Sequence, residues 1–93
     1  MSKKKINIAR KKIDQIDNDI FNLIKKRTSV VKHMLKLKKL KKQIVDQKRN
    51  HKILKKIKKK SIRNGIDPKI TLRIWRAMIW SYVDFQKKNF NKK

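Results

Sequence analysis

The chain has 93 residues, enough for one small domain, and only 38% of them are hydrophobic, little for a core that must stand alone. It has no Cys, which excludes disulfides, thiolate metal sites and a Cys nucleophile, and its two His, His33 and His51, lie far apart with no metal-like spacing. Its formal net charge is +25, its six acids are all Asp, and no apolar run approaches the roughly 20 residues of a membrane span.

No segment alternates as a strand does, so the chain reads as all-helical: one very long helix, one short and one medium. The first is expected from about Ile6 to about Lys42, roughly 55 Å at ~1.5 Å per residue. Ile13, Ile16, Ile20, Leu23, Arg27, Val30, Met34 and Leu37 follow a 3-4 spacing that places all eight on one seam. A helix this long must pack on another protomer or project into solvent. The second is expected from Asp46 as N-cap to about Arg63, with Ile53, Leu54, Ile57 and Ile62 as its apolar face, and Asn64-Gly65 as its stop. The third is expected to open at Asp67-Pro68 and run to about Asn89. It carries one stripe of Ile70, Ile74, Ala77, Met78, Ser81 and Phe85, and a second of Trp75, Ile79, Tyr82 and Gln86. The whole chain is expected to form one domain with basic tails at about 1–5 and 90–93.

Arg27 stands in the seam where a hydrophobe belongs. Either it snorkels out, or an anion meets it, because a buried unpaired guanidinium costs several kcal/mol, about 3–5 when a partner is missing. In a chain that otherwise chooses Lys, an Arg suggests bidentate contact with carboxylate or phosphate. Lys38 lies 11 residues on, about three turns and nearly the same azimuth if the helix continues. Arg49 opens the second helix and Gln86 closes the third, so Arg27, Lys38, Arg49 and Gln86 can converge if the helices fold back. Arg10 is roughly 25 Å from Arg27 along a rigid helix and can join only from an antiparallel second protomer. Taken singly, each of these residues is as well explained as a solvated surface cation or amide; only the joint spacing points to a site.

That joint spacing resembles the all-helical, type II chorismate mutases. The resemblance runs from about Ile8 to Gln86. It is carried by Ala-Arg-Lys-Lys-Ile-Asp-Gln-Ile-Asp at 9–17, Leu-Ile-Lys-Lys-Arg at 23–27, Lys38, Val-Asp-Gln-Lys-Arg at 45–49, and Ile-Trp-Arg-Ala-Met-Ile at 74–79 with Gln86. The resemblance implies an intertwined antiparallel homodimer with two shared sites, each taking Arg10 from the partner protomer. It implies a small dianionic substrate, chorismate, rearranged to prephenate in phenylalanine and tyrosine biosynthesis, without metal or other cofactor. Arg10 and Arg27 would bind the two carboxylates and Arg49 would order the pocket. Lys38 and Gln86 would donate to the ether oxygen, and Asp46 would lie near the ring hydroxyl. Asn50, where many relatives carry Glu, and Tyr82, where a small residue is usual, are departures that also fall at substrate-binding positions.

Three other functions compete. An isochorismate-pyruvate lyase shares the fold and the cationic site. A basic helical nucleic-acid-binding protein explains the charge but predicts cations clustered on one exposed face, and the chain carries no recognisable DNA- or RNA-binding motif. A regulatory, inactive mutase-like domain is the third. On balance the chain reads as a cytoplasmic enzyme, with neither membrane nor nucleic acid expected as its partner.

Overall fold

The computed structural model describes residues 2–91. Among them are three α-helices, α1 (Lys3–Leu37), α2 (Gln47–Arg63) and α3 (Pro68–Asn89), with a short 3-10 turn at Lys41–Gln43. The chain divides into two compact units, residues up to 32 and residues from 33 onward.

The first unit is the body of α1. It begins at Lys3, earlier than the expected Ile6, because the Ser2 carbonyl accepts from the amides of Lys5 (3.1 Å) and Ile6 (3.2 Å). None of the residues of α1 is buried. The apolar seam therefore lies open in the single chain: Ile16 is 56% and Leu23 62% exposed, and Ile13, Ile20 and Val30 are exposed with them. A lone amphipathic helix draws little stability from its own backbone, so such a stripe requires a covering surface.

The second unit holds the packed part of the chain. Here the expected reach of α1 to Lys42 needs correction, since the helix stops at Leu37. The Gln43 side-chain carbonyl accepts from the amides of Lys39 and Leu40, both at 2.9 Å, giving the backbone an alternative to helix. Lys38, Lys39, Lys41 and Lys42 add like-charge repulsion to any continued helix. Ile44, just past the turn, is buried.

Helix α2 starts where the sequence places it. Asp46 caps it by accepting from the Arg49 amide at 3.0 Å. It ends in a paired 6→1 and 5→2 closure: Ile66 N–H donates to the Ser61 carbonyl at 2.9 Å and Gly65 N–H to that of Ile62 at 3.2 Å. Gly65 sits there at φ 67, a conformation that side chains with a Cβ rarely adopt. Asp67 then caps α3, accepting from the Lys69 amide at 2.9 Å, with Pro68 in the first turn.

Helices α2 and α3 pack on each other. Ile53, Leu54 and Ile57 are half-buried on the inner face of α2, but Ile62 is exposed, and Ser61 is buried in its place. The reason is azimuthal: Ser61 lies about 40° from Ile57 and Ile62 about 140°. Ser61 remains satisfied, donating to the Ile57 carbonyl at 2.6 Å and sharing a 2.6 Å hydrogen bond with the Thr71 hydroxyl. On α3 burial cuts across the two stripes: Ile79, Val83 and Gln86 are buried and Trp75, Met78, Tyr82 and Phe85 half-buried, while Ile70, Ile74, Ala77 and Ser81 are exposed.

Candidate functional site

The second unit brings two of the sequence-predicted residues into direct contact. Lys38 Nζ donates to Gln86 Oε1 at 2.7 Å across 48 residues of sequence. Lys38 lies one residue past the end of α1, and its amide still reaches the Leu35 carbonyl at 3.2 Å. The stop at Leu37 therefore sets where Lys38 emerges. Gln86 sits near the C-terminal end of α3 and is only 7% exposed. Its Nε2 donates to the Tyr82 carbonyl one turn back, at 3.1 Å. Both ends of the amide are thus engaged, which fixes its orientation: acceptor toward Lys38, nitrogen toward the Tyr82 backbone.

This arrangement keeps donor capacity in reserve. An ammonium has three hydrogens and a primary amide two, so after these bonds Lys38 retains two and Gln86 one. In number, these hydrogens leave each group able to donate to a ligand oxygen. The electrostatics suit an anion. Burial holds the Lys38 ammonium below the ordinary lysine value, and the Asp46 carboxylate partly offsets this. A partly desolvated cation interacts more strongly with a developing negative charge than a fully hydrated one does.

Of the other predicted residues of this unit, Tyr82 meets the pair through its backbone carbonyl and Asp46 acts on Lys38 through its charge. Asp46 is exposed and its carboxylate serves as the α2 cap. Arg49 is exposed and, with Asp46, Lys48, Lys52, Ile53 and Lys56, lines a shallow groove at the start of α2. Asn50 is half-buried, as is Tyr82. Arg10 and Arg27 belong to the first unit, where Arg10 is exposed and Arg27 half-buried within the otherwise open seam. Among the described residues, no three His, Asp or Glu side chains gather as a metal would need, and no helix is long and apolar enough to cross a membrane.

Sequence reasoning did not anticipate the Gln86–Tyr82 backbone contact or the Gln43 turn that delivers Lys38. The first had a usable signal, since an amide side chain can reach the carbonyl four residues back on any helix. The second was hidden inside a Lys-rich run, where only the apolar Ile44-Val45 pair marks the change of direction.

Comparison with known proteins gives one family. The model described as chorismate mutase type II matches residues 9–87, most of the chain and both units. No curated protein and no solved structure gives a significant match.

Proposed function

The chain belongs to the chorismate mutase type II family, and we propose that it is itself a chorismate mutase, converting chorismate to prephenate. The observation that carries the proposal beyond family membership is the Lys38–Gln86 pair: a partly desolvated cation and an oriented amide, each with a hydrogen left to donate.

The chemistry asks for little else. In the rearrangement the ether C–O bond breaks as a C–C bond forms, in one concerted step within one molecule. No proton, electron or external group is transferred. Catalysis therefore consists of holding a flexible dianion in its compact reactive conformer and stabilising the charge that grows on the ether oxygen. In this reading Lys38 and Gln86 donate to that oxygen. Arg27 and Arg10 take the two carboxylates as guanidinium forks, and Arg49 orders the pocket. Asp46 and Asn50 lie at the ring hydroxyl, Asn50 as a neutral amide that can donate or accept. Tyr82 narrows the carboxylate end.

The site is complete only in a homodimer. The exposed seam of α1 supports that assembly, because an apolar stripe of this length calls for burial and an antiparallel copy of itself offers a matching one. Antiparallel pairing also carries Arg10 of one protomer toward Arg27 of the other. The protein is proposed to work in the cytoplasm, in phenylalanine and tyrosine biosynthesis.

Purified protein incubated with chorismate tests the proposal. Prephenate without pyruvate, lost in Lys38→Ala, is the expected result. Inactivity on chorismate with pyruvate release from isochorismate would replace the mutase by the lyase of the same fold. Inactivity on both would leave a family member without this activity.

A further inference from the structure

Helix α2 has a second face that the mutase reading does not use. Its 17 residues include nine cations, Lys48, Arg49, Lys52, Lys55, Lys56, Lys58, Lys59, Lys60 and Arg63, and no acid. All nine are exposed. On a helical projection Lys48, Lys52, Lys55, Lys59 and Arg63 fall within about 80° of one another. They form a straight stripe roughly 22 Å long, on the side opposite the inward-facing Ile53, Leu54, Ile57 and Ser61. Toward its N-terminal end lies a shallow depression lined by Gln47, Lys48, His51, Lys52 and Lys55.

We propose that this outward face of α2 binds the phosphate backbone of nucleic acid, without sequence preference, as an activity separate from the candidate catalytic site. A regular row of cations one turn apart matches a polyanion whose charges repeat along a line. Along the helix, Lys48 and Lys52, Lys55 and Lys59, and Lys59 and Arg63 are like-charge neighbours four residues apart, which weakens an isolated helix. A bound polyanion relieves that repulsion. Lysine predominates, and lysine meets phosphate as a point charge, whereas base reading favours the arginine fork. The absence of sequence preference follows from that.

Two other anions fit less well. A small dianionic substrate needs cations at its pocket, whereas this stripe runs to Arg63, fourteen residues beyond Arg49. A helix lying in a lipid surface needs a free apolar face beneath its cations. The apolar face of α2 is turned toward α3.

The test is titration of the intact protein into a fluorescent mixed-sequence DNA duplex at several salt concentrations. Five phosphate contacts give a log–log salt slope of about −4.5, or roughly 500-fold weaker binding between about 50 and 200 mM salt. The variant Lys55→Gln/Lys59→Gln/Arg63→Gln leaves two contacts, a slope of about −1.8 and roughly a 12-fold loss over the same range. It should keep wild-type helicity and chorismate turnover. The control Lys3→Gln/Lys4→Gln/Lys5→Gln removes equal charge from α1 and should keep the steep slope. No duplex binding at the lowest salt would overturn the proposal. So would equal weakening by both triple variants, or binding to phosphatidylserine vesicles but not to the duplex. A fall in turnover efficiency with no change in duplex binding would instead assign the stripe to substrate attraction and overturn it as well. Because duplex binding is read separately from turnover, failure of the mutase reading leaves this test intact.

Discussion

Replacing Gln86 by Glu probes the candidate site with a change of a single atom type. In the wild type Gln86 accepts from Lys38 at 2.7 Å and donates to the Tyr82 carbonyl at 3.1 Å. A carboxylate keeps the first contact and strengthens it, but it has no hydrogen for the Tyr82 carbonyl or for a substrate oxygen. Only the protonated acid can do both. With an ordinary Glu value of about 4.3, roughly one molecule in 500 is protonated at pH 7 and about one in six at pH 5. Neighbouring Lys38 pulls the value down and burial pushes it up. Loss of one oriented donor has a ceiling of about 10²- to 10³-fold. Gln86→Glu should therefore turn over chorismate roughly 80- to 300-fold more slowly than wild type at pH 7 and recover to within about tenfold at pH 5. The assay is kcat/KM for chorismate loss across pH 4.5–9. A deficit that is the same at every pH, or no deficit at pH 7, would refute a donor role for Gln86.

Further outcomes follow from the same geometry. Burial lowers the Lys38 pKa, so the charged form is lost below the ordinary lysine range, and wild-type activity should fall on the alkaline side within that lowered window. Asp46 opposes the shift; Asp46→Asn keeps an N-cap but removes the charge, and should move that alkaline limb to lower pH in a kcat/KM profile. The same lowered pKa means the unfolded chain binds more protons between the folded and unfolded values, so the Lys38 contribution to stability rises with pH through that window. Gly65→Ala meets no atom within 4 Å but must hold a positive φ of 67, and should cost about 1–2 kcal/mol in denaturant unfolding through backbone strain alone. Ile16→Asp sets a charge in the exposed seam of α1 and should give a monomer by sedimentation, with turnover lost and the α2–α3 pair still helical.

The helices were legible where local chemistry marks their ends. Asp46, Asn64-Gly65 and Asp67-Pro68 each carry a backbone preference that acts within four residues, and the structure uses all three as caps or turns. The end of α1 was not legible, because its stop depends on Gln43 reaching back to Lys39 and Leu40 rather than on a Gly or Pro. Burial was only partly legible. The two stripes of α3 are similarly apolar in sequence, and tertiary packing buries part of each, Ile79 and Gln86 most deeply and Met78 and Phe85 by half. The spacing along a continued first helix set Lys38 beside Arg27, whereas the structure ends that helix at Leu37 and joins Lys38 to Gln86. The polarity of the Gln86 amide follows from the carbonyl four residues back, a reach open to any helical amide that the spacing argument did not use.

Subunit complementation tests the central claim, a chorismate mutase site assembled from two protomers, most directly. Arg10→Ala and Lys38→Ala are each expected to be inactive on chorismate. Unfolded together and refolded at equal concentration, they form about half heterodimers, each with one intact site of two. The mixture should regain about a quarter of wild-type prephenate formation. A mixture as inactive as its parents, beside an active wild type refolded in the same way, would contradict the shared site.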